Sequence, residues 1–427
     1  MPYESTSGCP QHAEYVCEEY APGTALSFKP LFTHQSFGEA EEIQNLPGIT
    51  ASIRYSGPLW TCSWSVAHAS SKLAKKEWDA SAWSRFAGQL QIGLPQELSC
   101  QKCLQPAESA SMATTALPGS MHLVSYFIPQ DRLPVFFSGQ FRVSTVRLSS
   151  CDSARRLHSG MQSLAVWMID AASAIDNEDP KWHLLLLQAE IKHPASLSPY
   201  WVTVGYTTLF EFFTPTRKAS PMSMRLAQAL VLPPLHRQGH GAALLRCAHR
   251  LAESLGAYQL TVEDPADGFR RLRDAHDVAL ADRRMTFEVP EKIAVGDASC
   301  FKAYMRAFDT SWAEAAVKKL HITQQQCLRA AEAHGLLALA TAAAASLQAA
   351  PAEGVPPNLT AAYKEWRLSV KRRTYAHDAD LRSVPAELRK AHLQSSFQWD
   401  LGSYTSALQR IHGPRIASSI EQLHASA

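Results

Sequence analysis

Two neighbouring carboxylates, Glu263 and Asp264, stand just before Pro265, at the end of a run in which Tyr258, Leu260 and Val262 alternate with other residues. Such alternation describes a half-buried strand. A pair of acids at its end can hold a cation and accept a proton from it. Upstream, His236-Arg237-Gln238-Gly239-His240-Gly241-Ala242 places two glycines within three residues. Glycine lets a backbone approach a ligand closely, and a helix opening there offers unpaired amides with partial positive charge. An anionic phosphate suits such a place. The same residues also fit a tight turn without a ligand, and the acids an ordinary strand-ending turn.

The elements that must position these groups are a strand, a helix and a second strand. Leu226 to Leu232 is apolar with one break at Gln228, and Pro233-Pro234 ends it, because proline lacks the amide a strand needs. Leu245, Ala248, Leu251, Ala252 and Leu255 fall on one stripe at helical spacing. Gly256 is placed to cap that helix. No Gly-Lys-Ser/Thr follows the glycines, which excludes a Walker loop, and no third glycine completes a dinucleotide fingerprint.

Gly239-x-Gly241 ahead of a helix resembles the coenzyme A pyrophosphate loop of the GNAT superfamily of N-acetyltransferases, written Gln/Arg-x-x-Gly-x-Gly/Ala. The leading position is His236 here, and Gln238-x-x-Gly241-x-Ala243 fits the pattern two residues later. Together with VEDP at 262–265 and RRLRD at 270–274, the stretch resembles one branch, the type B histone acetyltransferase catalytic subunits. Three other stretches resemble the same branch. They are Phe32-Thr33-His34-Gln35-x-Phe37-Gly38, Trp167-Met168-Ile169-Asp170-x-Ala172-Ser173-x-Ile175-Asp176, and YKEWRLSVKRR at 363–373.

The resemblance implies an α/β (α+β) acetyltransferase fold: a mixed central sheet with flanking helices, an amino-terminal mixed domain and a carboxy-terminal helical region. Its expected boundaries are a flexible tail over 1–24, the amino-terminal domain over 25–148, the acetyl-CoA-binding core over 149–288 and the helical region over 289–427. Acetyl-CoA is the implied co-substrate. The backbone amides of Arg237 to Ala242 would hold its pyrophosphate, together with His236. Ala229, Leu230 and Val231 would pair with the pantetheine arm, and Gly268 would give a further contact. Glu263 matches the branch's catalytic Glu, with Asp264 beside it. Asp170 stands where the branch carries another Glu implicated in catalysis. The acidic turn Glu39, Glu41, Glu42 and the segment Phe210-Glu211-Phe212 would meet a basic histone tail.

The implied reaction is acetyl transfer from acetyl-CoA to lysines in the amino-terminal tail of free core histone H4, carried with H3, in a ternary complex with a carboxylate base. A lysine amine has an unperturbed pKa of about 10.4 and must lose a proton before it attacks. The thioester is already activated, so no enzyme nucleophile is required, in keeping with the absence of a recognisable Ser/His or Cys/His arrangement. Partial burial of Glu263 beside Asp264 is expected, raising the pKa of one of them. The implied partner is a WD-repeat histone-binding subunit, and the implied location is nucleus and cytoplasm. An acetyltransferase for another amine and a non-catalytic histone-binding scaffold stay open as alternatives.

Composition bounds these readings. The chain has 427 residues, 46% hydrophobic and 19% charged, enough for two or three domains with real cores. A net charge of +2 does not suggest direct nucleic-acid binding. Nine scattered cysteines point to reduced thiols, and Cys100-x-x-Cys103 lacks the second pair a zinc site needs. No metal is expected. No apolar run approaches the roughly 18 residues of a membrane helix, and the N-terminus lacks a secretory signal, so a soluble intracellular protein is expected. Leu157, Met161, Leu164, Met168 and Ile175 predict a helix reaching past Asp170. Residues 93–120, rich in Ser, Ala, Pro and Gln, read as a loop. Lys371-Arg372-Arg373 reads as a solvated helix face or a nuclear import signal.

Overall fold

The computed structural model of the chain describes residues 29–37, 39, 41, 49–56, 60–68, 117–191, 200–214, 222–294, 296–350, 352 and 354–427. Its segments interleave into two compact units. One holds the described residues up to Phe212 together with Arg225–Ala248, and the other holds Phe213–Met224 with His249–Ala427.

The first unit opens with a short helix α1 (His34–Phe37) and an antiparallel hairpin, β1 (Ile49–Ser56) and β2 (Thr61–His68). There follow β3 (Met121–Phe127), β4 (Phe137–Arg147), helix α2 (Asp152–Met168), β5 (Trp182–Ile191), β6 (Tyr200–Phe213), β7 (Met222–Val231) and the start of α3 (His240–Ser254). The main sheet runs β3-β4-β5-β6-β7-β8, with β8 at Leu260–Val262, and is antiparallel from β3 to β6. Leu184 to Leu187 on β5 are all buried, as befits a central strand covered on both faces. The apolar stripe of α2 is buried at Leu157, Met161 and Leu164. The helix ends at Met168, so the predicted continuation to Ile175 is not formed. Ile169 is extended and Ala171 sits at φ 55°, a left-handed turn that stops a helix.

At Gly205 the backbones of β6 and β7 come close. A Cβ there would lie 2.6 Å from the Leu230 carbonyl oxygen and 3.1 Å from the Val231 Cα. Both obstacles are backbone, which cannot rotate aside as a side chain can. Gly205→Ala is therefore expected to cost about 2–3 kcal/mol, the upper part of the overpacking range, read from urea denaturation. A loss under about 0.5 kcal/mol would show that the strands separate freely there.

The second unit contains the end of α3, β8 and the remaining helices: α4 (Asp267–Arg284), α5 (Glu291–Ala294), α6 (Ala298–Arg306), α7 (Thr310–Leu320), α8 (Gln324–Ala349), α9 (Pro357–His377), α10 (Ala386–His412) and α11 (Pro414–Ala425). β8 lies parallel to the first residues of β7: Tyr258 N donates to Met222 O at 2.8 Å and Met224 N to Gln259 O at 3.0 Å. A second parallel bridge joins Leu260 to Ile322. α3 ends as predicted at Gly256, φ 75°, with Gly256 N donating to Glu253 O and Ala257 N to Ala252 O, the paired bonds of a glycine C-cap. Thr323 and Gln326 form a reciprocal capping box at the start of α8.

α8 is by length and composition long enough to cross a membrane, which corrects the expectation that no run approaches that length, but 61% of its apolar window is buried. It is the core helix of this unit. Leu336, Leu339 and Ala343 pack with Tyr363 and Trp366 of α9 and Tyr404 of α10. A charged network is buried in the same layer. Arg329 of α8 donates to both oxygens of Asp274 on α4, at 3.1 and 2.6 Å, and to Asp400 of α10. Arg373 of α9 donates to Asp400 at 2.6 Å and Glu332 at 2.8 Å. Tyr404 and Ser403 complete it by donating to Glu332 and Asp274, each at 2.6 Å. Arg373 is thus neither a solvated residue nor part of an accessible import signal. Burial alone would push the Asp274 carboxyl up, but Arg329 beside it holds it below the usual value.

Candidate functional site

The glycine loop lies between β7 and α3. A 3-10 turn at Pro233–Leu235 leads out of the strand, and Leu235 is buried beneath it. Arg237 at φ 65° and Gly239 at φ 95° then turn the chain left-handed, and α3 begins at His240. Left-handed φ is costly for a side-chain-bearing residue, so Arg237 marks a held conformation. A Cβ on Gly239 would meet nothing within 4 Å, so the outer face of the loop is open. The first-turn amides of α3 have no partner four residues back. An open left-handed loop feeding a helix start fits a pyrophosphate.

The loop side chains divide. His236 is exposed, and its Nε2 donates to the Val231 carbonyl at 2.7 Å, clamping the loop onto the strand end. Gln238 donates to Arg132 O at 2.9 Å. His240 turns inward: its Nδ1 shares a 2.6 Å hydrogen bond with the Tyr126 hydroxyl, and its ring lies 4.4 Å from that of Phe141. Burial pushes its pKa down to about 4, so it is neutral at pH 7. Only the backbone amide of His240 can serve a ligand outside. On β7, Leu230 points into the core while Ala229 and Val231 are half-exposed on the other face. Gly241 and Ala242 are half-buried in the first turn of α3.

Glu263 and Asp264 belong to the second unit, directly after β8 and before α4. Both are exposed, which corrects the expected partial burial. The reason is the shortness of the strand. β8 ends at Val262, so the acids leave the pleat and enter a turn, with Asp264 at φ 28°. Gly268 follows in the first turn of α4, exposed and with open space where a Cβ would be.

Asp170 belongs to the first unit, in the turn after α2, where Leu31, Phe32 and Gln35 dock. The amides of Leu31 and Phe32 donate to Trp167 O at 2.9 and 3.1 Å, and Gln35 Nε2 donates to the carbonyls of Val166 and Ile169 at 2.8 and 2.9 Å. These bonds satisfy carbonyls that a helix end leaves open. Docking brings His34 Nε2 to 3.3 Å from the Asp170 carboxylate and its Nδ1 to 4.0 Å from Glu41. Thr33 donates to Glu41 at 2.5 Å. The fold thus gathers His34, Glu41 and Asp170, with Glu39 exposed nearby in sequence; Glu42 lies outside the described residues. Sequence reading missed the positioning roles of His34 and Gln35, although both stand in the quoted FTHQ stretch. His34→Ala is expected to leave folding within about 0.5 kcal/mol of the parent, as for an exposed ion pair, while raising KM for a basic peptide several-fold. An unchanged KM would show that the pair plays no part in substrate capture.

Phe210 packs on Trp182, ring centroids 4.7 Å apart, and Phe212 lies under the Arg225 guanidinium. The Glu211 carboxylate is occupied: it accepts from Arg147 at 2.9 Å and from His183 at 2.5 Å. Its neighbours Phe210 and Phe212 therefore offer ring surface, whereas Glu211 serves first as an internal counter-ion. Among the described residues no cluster of His, Cys, Asp and Glu could hold a metal ion, and Cys151, Cys247, Cys300 and Cys327 form no disulfide. Cys100 and Cys103 lie outside the described residues.

Residues 12–170 match the family model described as "Histone acetyl transferase HAT1 N-terminus". The chain is similar to the histone acetyltransferase type B catalytic subunit of Mus musculus, 28% identical over 257 residues that cover 58% of this chain and 57% of that protein. It is likewise similar to the subunit of Rattus norvegicus, 27% identical over 73% of this chain and 69% of the relative. With the Homo sapiens subunit the identity is 25%, over 85% of this chain and 78% of the relative. The family model covers the segment that docks on α2, and the human relative's alignment takes in most of the chain. Residues 12–170 thus carry the amino-terminal domain of this family of histone acetyltransferases, and the chain as a whole is similar to type B catalytic subunits, acetyltransferases whose name implies acetyl-CoA as co-substrate.

Proposed function

We propose that this chain transfers the acetyl group of acetyl-CoA to lysine side chains in the amino-terminal tail of free histone H4, by direct attack of the amine on the thioester. The observation that carries this reading is the loop at Arg237 to Ala242, left-handed at two residues, open on its outer face and continuous with the start of α3. In the proposal its amides hold the pyrophosphate, and Ala229 to Val231 guide the pantetheine arm. Glu263 takes a proton from the lysine ammonium and so frees the amine that attacks, with Asp264 adding the second negative charge that draws a lysine in. The amine then bonds to the thioester carbon, the carbon–sulfur bond breaks, and the proton the nitrogen sheds as the amide forms passes to the departing sulfur, releasing coenzyme A as thiol. Glu41 and Asp170, held about His34, and the rings of Phe210 and Phe212 are proposed contacts for the basic tail. Residues 149–288 are the proposed cofactor-binding core.

A WD-repeat histone-binding subunit as partner, H3 as the companion histone, and residence in both nucleus and cytoplasm are part of the same proposal, supported by the family. The test is incubation of the purified chain with acetyl-CoA and a peptide of the H4 tail, followed by mass spectrometry. Acetylation of tail lysines is the expected result. Binding of acetyl-CoA without transfer to this peptide would turn the reading to another amine or to a histone-binding scaffold.

A further inference from the structure

The helical unit contains a cavity of about 540 Å³ that the proposed reaction does not use. It lies between α6, the α6–α7 connection, the first turns of α8 and the second half of α9. Its charges do not cancel. The lining has three carboxylates, two of them in ion pairs and the third, Asp309, held only by a helix cap. Glu365 faces Lys302 at 3.5 Å, Glu332 binds Arg373 at 2.8 Å, and Asp309 caps α7 by accepting from Trp312 N at 2.9 Å. Beyond those pairs the lining holds Asp309 and two guanidiniums, Arg306 and Arg372, with the imidazole of His377, so positive charge is in excess. Among the described residues neither these two guanidiniums nor this imidazole makes a hydrogen bond or ion pair, and Arg306, Arg372 and His377 are exposed. Guanidinium is the side chain best matched to the planar fork of a carboxylate or to a phosphate.

Two further features give the cavity more than charge. Met305, Phe308 and Leu328 supply an apolar wall. Gln325 lines the cavity, and its amide oxygen is shut off from solvent without a hydrogen-bond partner. A buried acceptor left unpaired is costly, and only a hydrogen-bond donor on the body of a ligand, not its anionic head, can relieve that. The volume lies within the range of roughly 300–1,000 Å³ typical of small-molecule sites, far more than one inorganic phosphate fills.

We propose that this cavity is a binding site for a small organic anion. A phosphate or carboxylate group lies between Arg306 and Arg372, and an apolar body rests on Met305, Phe308 and Leu328.

The test uses the full chain with coenzyme A present in saturating amount, so that the glycine loop is already filled. Phenyl phosphate, benzoate, inorganic phosphate and benzyl alcohol are titrated calorimetrically. Arg306→Gln and Arg372→Gln are exposed, unpaired positions, so both variants are expected to keep the parent Tm. The expected result is saturable binding of phenyl phosphate or benzoate, at least tenfold tighter than inorganic phosphate or benzyl alcohol and weakened at least tenfold in each variant. The tighter of the two aromatic anions identifies the head group. No saturable binding of either, or binding that both variants leave unchanged, overturns the site. Equal affinity for benzyl alcohol removes the anion requirement, and equal affinity for inorganic phosphate removes the organic one; either result overturns the assignment.

Discussion

The Glu263→Gln chain is expected to bind acetyl-CoA like the parent and to lose roughly 10²–10⁴ in kcat, the range for removing a positioned general base. Glutamine keeps the shape and the hydrogen-bonding reach of glutamate and removes only its charge. The position is exposed, so stability should move by less than about 0.5 kcal/mol. This separates chemistry from folding in one variant. Asp264 is the next residue, and a neighbouring carboxylate can take over part of the proton transfer. Glu263→Gln with Asp264→Asn together should then cost more than the product of the two single losses, because each single variant keeps the other acid as a substitute. The measurement is steady-state acetylation of an H4 tail peptide across pH 6 to 9, with acetyl-CoA affinity determined separately. A Glu263→Gln chain that keeps the parental kcat would remove Glu263 as the base and direct attention to Asp170.

The second large effect is expected far from that turn, in the helical unit. Arg329→Met should destabilise that unit by about 3–5 kcal/mol, because it strips a buried network of one cation and leaves its carboxylates uncompensated. Asp274 loses a two-pronged partner and Asp400 loses one of its two arginines. The residue left behind matters more than the bond lost, since an isolated buried charge is what the interior tolerates least. Replacing Asp274 by Asn in the Arg329→Met chain should recover part of the loss, as removal of a stranded charge does. Urea denaturation followed by the helical signal reads both variants. A loss below about 1 kcal/mol for Arg329→Met, the size of an exposed pair, would show that water reaches the network.

What the sequence revealed and what it concealed divide along physical lines. The β7–loop–α3–β8 run was readable because each element carries its own local signal. Pro233-Pro234 ends the strand, the stripe of α3 is buried at Leu245 and Ala248, and Gly256 takes a left-handed φ that other residues resist. The end of α2 was misread because Ile175 continues a spacing of seven. Periodicity cannot see that Gln35, more than a hundred residues earlier, supplies donors to the carbonyls at the helix end. The same non-local docking makes His34 a neighbour of Asp170. Burial of Glu263 was expected from strand alternation, and alternation lapses one residue after a strand ends. Arg373 looked exposed because a basic run looks soluble in one dimension; only the packing of α4, α8, α9 and α10 shows three acids and a tyrosine waiting for it and Arg329.

The interleaving of the two units also sets an order for the protein's birth. A ribosome delivers residues from the amino end, so the first unit cannot close until Arg225–Ala248 has emerged, after Phe213–Met224 has already appeared. Those early residues belong to a unit whose remaining chain is still unmade. They include Met222 and Met224, whose backbone groups seat the segment that ends in Glu263. A protein fragment cut to begin at His249 would retain every helix that follows and still lack the strand edge that aims its acids. No single cut therefore yields both units whole: one after Ala248 leaves the first complete and takes Phe213–Met224 from the second, and a nascent chain stalled between Met224 and Ala248 holds two incomplete bodies rather than one finished and one pending.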